Sequence, residues 1–202
     1  RSKLVNKPGS QKIFEPTLEV IEKVLSQTRE SKNKIYSIHE PHVECIAKGK
    51  AHKKYEFGCK ASIVLTHKDG LALSLRAIHG NPYDGHTLET VLKVSENISN
   101  VQIKEAFVDK GYRGHSVKNI QVHISGKKRG LTSWLHKKIK RRQAIEPQIG
   151  HMKNEGKLGR NFLKGVLGDC LNTILCGIGH NLKLIVRKLF PSNKDNFIRS
   201  SA

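Results

Sequence analysis

The stretch from Lys60 to Ile78, KASIVLTHKDGLALSLRAI, contains two β-rich runs, KASIVLT (60–66) and LALSLRAI (71–78), separated by His67, Lys68, Asp69 and Gly70. Asp-Gly between two such runs is a strong local signal for a hairpin, because the tight turn needs a residue that tolerates positive φ. Downstream, NPYDGHTLETVLKVSENI begins with turn residues and continues with Leu88, Val91 and Leu92 at helical spacing, which predicts a helix starting near Asp84. EAFVDKGYRG then gives a short apolar strand, Ala106 to Val108, that ends on Asp109 and meets a glycine turn at Gly111. IQVHISG (120–126) reads as another strand. From Ser133 the pattern turns helical and basic, and residues 169–190 read as an apolar helix ahead of Pro191.

Upstream of the hairpin, residues 15–28 place Leu18, Ile21, Val24 and Leu25 on one helical face, followed by the polar link RESKNK. The expected organisation is an N-terminal helical arm over 1–33, a main domain over 34–190 and a polar tail over 191–202. Hairpin, helix, strand, loop, strand, helix is a mixed α/β order. It matches the later part of a ribonuclease-H-like fold, a mixed sheet with flanking helices, without its first strand region.

The chain has 202 residues with 37 Lys+Arg against 17 Asp+Glu, a formal net charge of +20. Such an excess points to a polyanion, since clustered cations bind phosphates and release their counterions. At 37% hydrophobic the composition suffices for a globular core and argues against a wholly disordered chain. No apolar run reaches the roughly 18 residues of a membrane span, and RSKLVNKPGSQ lacks a signal-peptide core. The expected location is cytoplasmic. The chain opens on Arg rather than Met, as a piece of something longer would.

Cys45, Cys59, Cys170 and Cys176 form no CxxC pair and read as free thiols of a reducing compartment. His39, His42 and Cys45, with His52 and Cys59 to follow, are the rival zinc reading. Pro41 and the strand-like IYSI (35–38) before it argue against one ligand face there.

The basic part holds most of the chemistry. Between Lys127 and Lys164, twelve Lys/Arg stand against Glu146 and Glu155, a net +10. On a helix, Arg142, Glu146, Ile149 and Lys153 fall in one stripe. Pro147 disfavours helical geometry at Glu146, so a kink or a helix start is expected there. From the pattern alone, Glu146 is either a functional carboxylate or a rung in a surface salt-bridge ladder.

VDKGYRG, with Asp109, followed 37 positions later by Glu146 within R-x3-E-x6-K, resembles bacterial insertion-sequence transposases of the DDE class. KIYSIHEPHVECIAKGKAHKKYEFGCK, HGNPYDGHTLET and IGHMKNEGKLGRNFLKG resemble the insertion-sequence-five type in particular, and the likeness runs from Lys34 to Phe190. Ile139 stands where that signature usually has tyrosine. The first catalytic aspartate of such enzymes lies on an earlier strand with no counterpart in this sequence.

The resemblance implies DNA transposition by metal-dependent phosphodiester cleavage and strand transfer. Two Mg2+ (or Mn2+) ions about 3.5–4 Å apart would activate a water or a DNA 3′-hydroxyl, and carboxylates from different elements would hold them. Asp109 and Glu146 are the implied catalytic and metal-binding pair. Arg142 and Lys153 are assigned to the strand beside the metals, and Lys137, Lys138, Lys140, Arg141, Lys157 and Arg160 to DNA phosphates, which position DNA without reading its sequence. Trp134 is either a base-stacking group or an apolar anchor. Asp84 is read first as a helix N-cap and second as an accessory site residue. His115 reads as an ordinary polar residue, and His151, one turn beyond Glu146, as a candidate contact to the site. The implied partners are the element's terminal inverted repeats and target DNA at the bacterial nucleoid, with a homodimer in the synaptic complex. With one of three carboxylates lacking, this chain alone is expected not to cleave DNA. The alternative is a basic nucleic-acid-binding protein whose carboxylates only balance charge.

Overall fold

The computed structural model describes residues 8–49, 51, 54–126, 130 and 132–191. The fold is mixed α/β. Helix α1 (Pro8–Ser26) leads to strands β1 (Glu44–Ala47) and β2 (Tyr55–Gly58), then β3 (Lys60–Leu65) and β4 (Ala72–Ile78). Helix α2 (Asp84–Ser99), β5 (Glu105–Val108), a 3-10 turn (Lys110–Tyr112) and β6 (Gln121–Ile124) follow. The chain ends on α3 (Ser133–Arg141), a 3-10 turn (Arg142–Ala144), α4 (Ile145–Asn154) and α5 (Gly165–Leu189). Among the described residues no helix is long and apolar enough to cross a membrane.

The β3–β4 hairpin forms as its sequence predicts. It is antiparallel, with Ile63 opposite Leu75 and a register shift at Val64/Leu65. Gly70 at φ +71° turns the chain, and Thr66 closes the loop by exchanging backbone bonds with Gly70 and Leu71. The strands pair in twos rather than in one continuous mixed sheet: β1 with β2, β3 with β4, and β5 with β6 in parallel.

Two small cores hold the β3–β4 and β5–β6 pairs. Leu88 and Leu92 of α2 pack with Ala106 of β5, flanked by Ile103, Val108, Tyr112 and Val122. Leu75 of β4, Met152 of α4 and Cys176 of α5 form the other, with Ile63, Leu65 and Leu158 around them. Burying each such leucine contributes about 1.5–3 kcal/mol. Between the cores, the buried hydroxyls of Ser74 on β4 and Ser95 on α2 lie 2.7 Å apart, and Ser95 also donates to the Val91 carbonyl. Helix α5 lies close on β4 because Gly177 faces Leu75 without a side chain. Asn181 then completes the β4 end, accepting from the Ala72 amide at 2.7 Å and donating to its carbonyl at 2.9 Å.

Several sequence expectations are corrected. Residues 35–38 are not a strand, because the Gln27 side chain bonds both the amide and the carbonyl of Ile35, the groups a partner strand would need. Strands β1 and β2 flank the lysine-rich stretch of sequence 48–54 and carry no alternating signal strong enough to announce them. Helix α1 begins earlier than residue 15 and includes Pro16, and it leaves Leu25 exposed while Leu18, Ile21 and Val24 are half-buried. Helix α5 begins at Gly165, four residues before its expected start.

Candidate metal and nucleic-acid site

Asp109 ends β5 as expected and caps the 3-10 turn after it, its Oδ1 accepting from the Gly111 amide at 2.9 Å. Asp84 is not the N-cap of α2. Tyr83 holds that position in extended geometry, and Asp84 is the first helical residue. Its carboxylate is thereby released to face outward, where Oδ1 pairs with Lys60 Nζ at 3.0 Å. Lys60 is fixed in turn by the Pro82 carbonyl at 2.6 Å.

The two aspartates converge. A Cβ on Gly111 would lie 3.1 Å from Asp84 Oδ2 and 3.1 Å from Asp109 Oδ1, so these oxygens are no more than twice that distance apart. Glycine at 111 keeps the space between them open. The field they create is felt by Tyr112, whose hydroxyl is pushed above its ordinary pKa by burial first and then by Asp84 and Asp109. Two oxygen donors from separate elements, with room for a small ion, suit a hard divalent cation that completes its shell with water or phosphate oxygens.

The pair opens on a cleft of about 1500 Å3 whose walls include Arg142, Lys153, Lys157 and Arg160. Arg142 is the most covered of these cations at 19% side-chain exposure, and its buried Nε has no hydrogen-bond partner. A buried guanidinium donor without an acceptor calls for an anion.

Glu146 is not among the walls of the cleft that Asp109 lines. Pro147 falls in the first turn of α4, where a missing amide costs nothing, so the segment starts a helix as one of the two expectations held. That start turns Met152 inward, and Glu146 projects at 71% exposure, outside the cleft walls, with Arg142 Nη2 3.9 Å away. Such a contact is one rung of the kind that the salt-bridge-ladder alternative expects. His151 likewise faces its own helix partner, Nδ1 lying 2.8 Å from Glu155 Oε1, and contacts neither aspartate.

The basic residues divide. Lys138 is spent inside the chain, donating to Glu105 Oε2 at 2.6 Å and lying 3.7 Å over the Trp134 ring centroid. Glu105 is held below its ordinary pKa chiefly by that lysine. Arg141 lines the cleft but donates to the hairpin-turn carbonyls of His67 and Lys68 at 2.8 and 2.6 Å. Lys137 and Lys140 are exposed on α3, outside the cleft walls. Trp134 is 58% exposed beneath Lys138 and is therefore not an apolar anchor.

A second cluster was not foreseen as a set. Atoms of Cys59, His79 and Asp169 lie within 4.8 Å of one another. Burial, followed by Asp169, pushes the Cys59 thiol up to about 12. His42 joins them, Nε2 lying 3.4 Å from Asp169 Oδ2. The rival zinc set does not assemble as spaced: Cys45 interacts with Tyr36, and His52 lies outside the described residues. Among the described residues of that set, His42 and Cys59 reach the cluster. Comparison with protein-family models, with curated proteins and with solved structures finds no match for this chain.

Proposed function

We propose that this chain is the DNA-holding part of a DDE-class transposase, with Asp84 and Asp109 as the carboxylate pair for a divalent cation. The carrying observation is the convergence of both carboxylates on Gly111 at the mouth of a cleft walled by Arg142, Lys153, Lys157 and Arg160. The parallel β5–β6 pair, with an aspartate at the end of β5 and the α2 helix packed on it, supports a ribonuclease-H-like architecture.

In this reading Mg2+ or Mn2+ supplies charge neutralisation beside a phosphodiester. Arg142 offers its unpartnered Nε to a phosphate oxygen, and Lys153, Lys157 and Arg160 carry the backbone along the cleft. Lys60 neutralises one oxygen of Asp84 and leaves Oδ2 facing Asp109. Glu146 is exposed and outside the cleft walls, so this reading rests on two convergent carboxylates among the described residues where the full reaction uses three. The chain therefore binds DNA and does not cut it. A homodimer would find an apolar face on α5, where Leu167, Leu175, Leu182 and Leu189 are exposed.

The test is duplex-DNA affinity measured against salt, in Mg2+ and in EDTA. With about four phosphates neutralised, log K should fall with log salt at a slope of roughly −3 to −4. Mg2+ should tighten binding, and the double substitution Asp84→Asn, Asp109→Asn should remove that gain. A flat salt response would sink DNA binding altogether. A steep slope with no metal effect would instead favour a non-catalytic basic binding protein, a reading that the outward Glu146 supports. Mn2+-dependent strand cleavage that vanishes in Glu146→Gln would return the third carboxylate to Glu146.

A further inference from the structure

We infer that Cys59, His79 and Asp169, with His42 as fourth ligand, form a structural zinc site that fastens α5 to the strands. This inference does not rest on the DNA-binding reading: Cys59 and Asp169 line the same cleft, but none of the residues assigned there to DNA or to Mg2+ is used.

The four groups come from four places in the fold. His42 lies in the loop before β1, Cys59 between β2 and β3, His79 just after β4, and Asp169 in the first turns of α5. Their donors are aimed inward by neighbours that take the other atoms. Asn161 Nδ2 donates to Asp169 Oδ1 at 2.8 Å, which leaves Oδ2 turned to the histidines. Glu40 Oε2 lies 3.4 Å from His42 Nδ1, so the carboxylate can hold the imidazole with Nε2 presented to Asp169. Glu40 is itself fixed by the Gly165 amide at 3.0 Å. A carboxylate behind a histidine, orienting its free nitrogen, is the usual outer support of a metal ligand.

The spacing fits an ion better than a hydrogen bond. Asp169 Oδ2 is 3.4 Å from His42 Nε2 and 3.7 Å from His79 Nε2. Both ring nitrogens of His79 are buried and without a hydrogen-bond partner. Tetrahedral zinc with bonds of 2.0–2.3 Å separates its ligand atoms by about 3.3–3.7 Å. The donors of Cys59, His79 and Asp169 lie within 4.8 Å of one another and His42 reaches them through Asp169, so rotations of Cys59, His79 and His42 would complete the set. One thiolate, two imidazoles and one carboxylate select a borderline ion such as Zn2+ and disfavour Mg2+ or Ca2+, which want oxygen. With four protein ligands the site would be closed, as structural zinc sites are.

Metal-free, untagged full chain should take up one Co2+ with a thiolate-to-cobalt charge-transfer band in the near ultraviolet and the intense visible bands of a tetrahedral ion. Zn2+ should displace it. The charge-transfer band should vanish in Cys59→Ser and persist in Cys45→Ser, and Glu40→Gln should weaken binding about 10–100-fold. In the unmutated chain, Zn2+ but not Mg2+ should protect Cys59 from alkylation while Cys45 continues to label, as read by peptide mass. Absence of the band in the wild-type chain, its survival in Cys59→Ser, or equal labelling of Cys59 with and without Zn2+ would each overturn the inference. The alkylation result needs no variant, so a folding defect in Cys59→Ser leaves the test intact.

Discussion

The Asp84–Asp109 pair and the Cys59–His79–Asp169 group both gather metal-ligating side chains from separate elements, yet their surroundings differ. The aspartates offer only oxygens, stand at a strand end and a helix start, and face a wall of cations that begins with Lys60. The other group mixes sulfur, nitrogen and oxygen, and the charged groups next to it are carboxylates, Glu40 and Glu44. An oxygen pair ringed by Lys and Arg is suited to an ion that arrives with a phosphate and leaves with it. A mixed-donor group backed by Asn161 and Glu40 is suited to an ion that stays. Ligand type and neighbouring charge, more than ligand number, separate a working site from a fastening one.

The largest expected effect breaks this comparison on its fastening side. At a hundredfold excess of free Zn2+ over its Kd, mass action stabilises the folded chain by about 2.7 kcal/mol. For a chain of this size that corresponds to a Tm gain of about 5–10 °C. Scanning calorimetry should show the gain in the unmutated chain and none in Asp169→Asn. Mg2+ at the same excess should not reproduce it. Equal gains from both ions would erase the distinction between the two sites.

Next in size is the split among the cations. Arg142→Ala should weaken duplex binding about tenfold, about 1.4 kcal/mol, and lower the salt slope by about 1. Lys138→Ala should leave affinity near that of the unmutated chain, because its ammonium is already paired with Glu105. Anisotropy titrations on one duplex at several salt concentrations decide it. Similar losses in both variants would mean that α3 carries the DNA as much as the cleft does.

A smaller effect sharpens the working side. Gly111→Ala inserts a methyl group 3.1 Å from an oxygen of each aspartate, which must then move apart by a few tenths of an ångström. Mn2+ affinity, followed by paramagnetic relaxation of water protons, should fall severalfold, with Zn2+ protection of Cys59 unchanged. Unaltered Mn2+ affinity would show that the pair does not bind the ion between its two carboxylates.

How much of this was legible depended on distance along the chain. The β3–β4 hairpin and the turn after Asp109 rest on signals a few residues long, Asp69-Gly70 and Asp109-Lys-Gly111, and both formed as read. The role of Glu146 was not legible, because a helical stripe does not say which face meets the core. Packing decided it: Met152 and Gly156 lie against Cys176, and this turns Glu146 to solvent. Asp84 looked like a cap because Asp commonly begins helices, but Tyr83 took the cap position. The metal-ligating group joins residues as far apart as His42 and Asp169, and no local spacing encodes it. The one hint was the His42 and Cys59 content of the rejected zinc set; His79 and Asp169 had no signal of their own.

The smallest effect concerns the join between α4 and α5, which neither site uses directly but on which Lys153 and Asp169 both depend for their placement. Lys183 on α5 reaches across to Glu155, just past the end of α4, and His151 holds the other carboxylate oxygen. Lys183 first, then His151, lowers the Glu155 carboxyl from its ordinary 4.5 to about 2. A carboxylate held below its unfolded value contributes stability that is complete above about pH 4.5 and is lost as pH falls towards 2. Glu155→Gln should therefore lower Tm slightly at neutral pH, and the difference from the unmutated chain should shrink between pH 4.5 and 2. Because the pair is about half exposed, about 1 M salt should also shrink the difference at neutral pH. A difference that persists unchanged at pH 2, or that ignores salt, would show that Glu155 acts by packing rather than by charge.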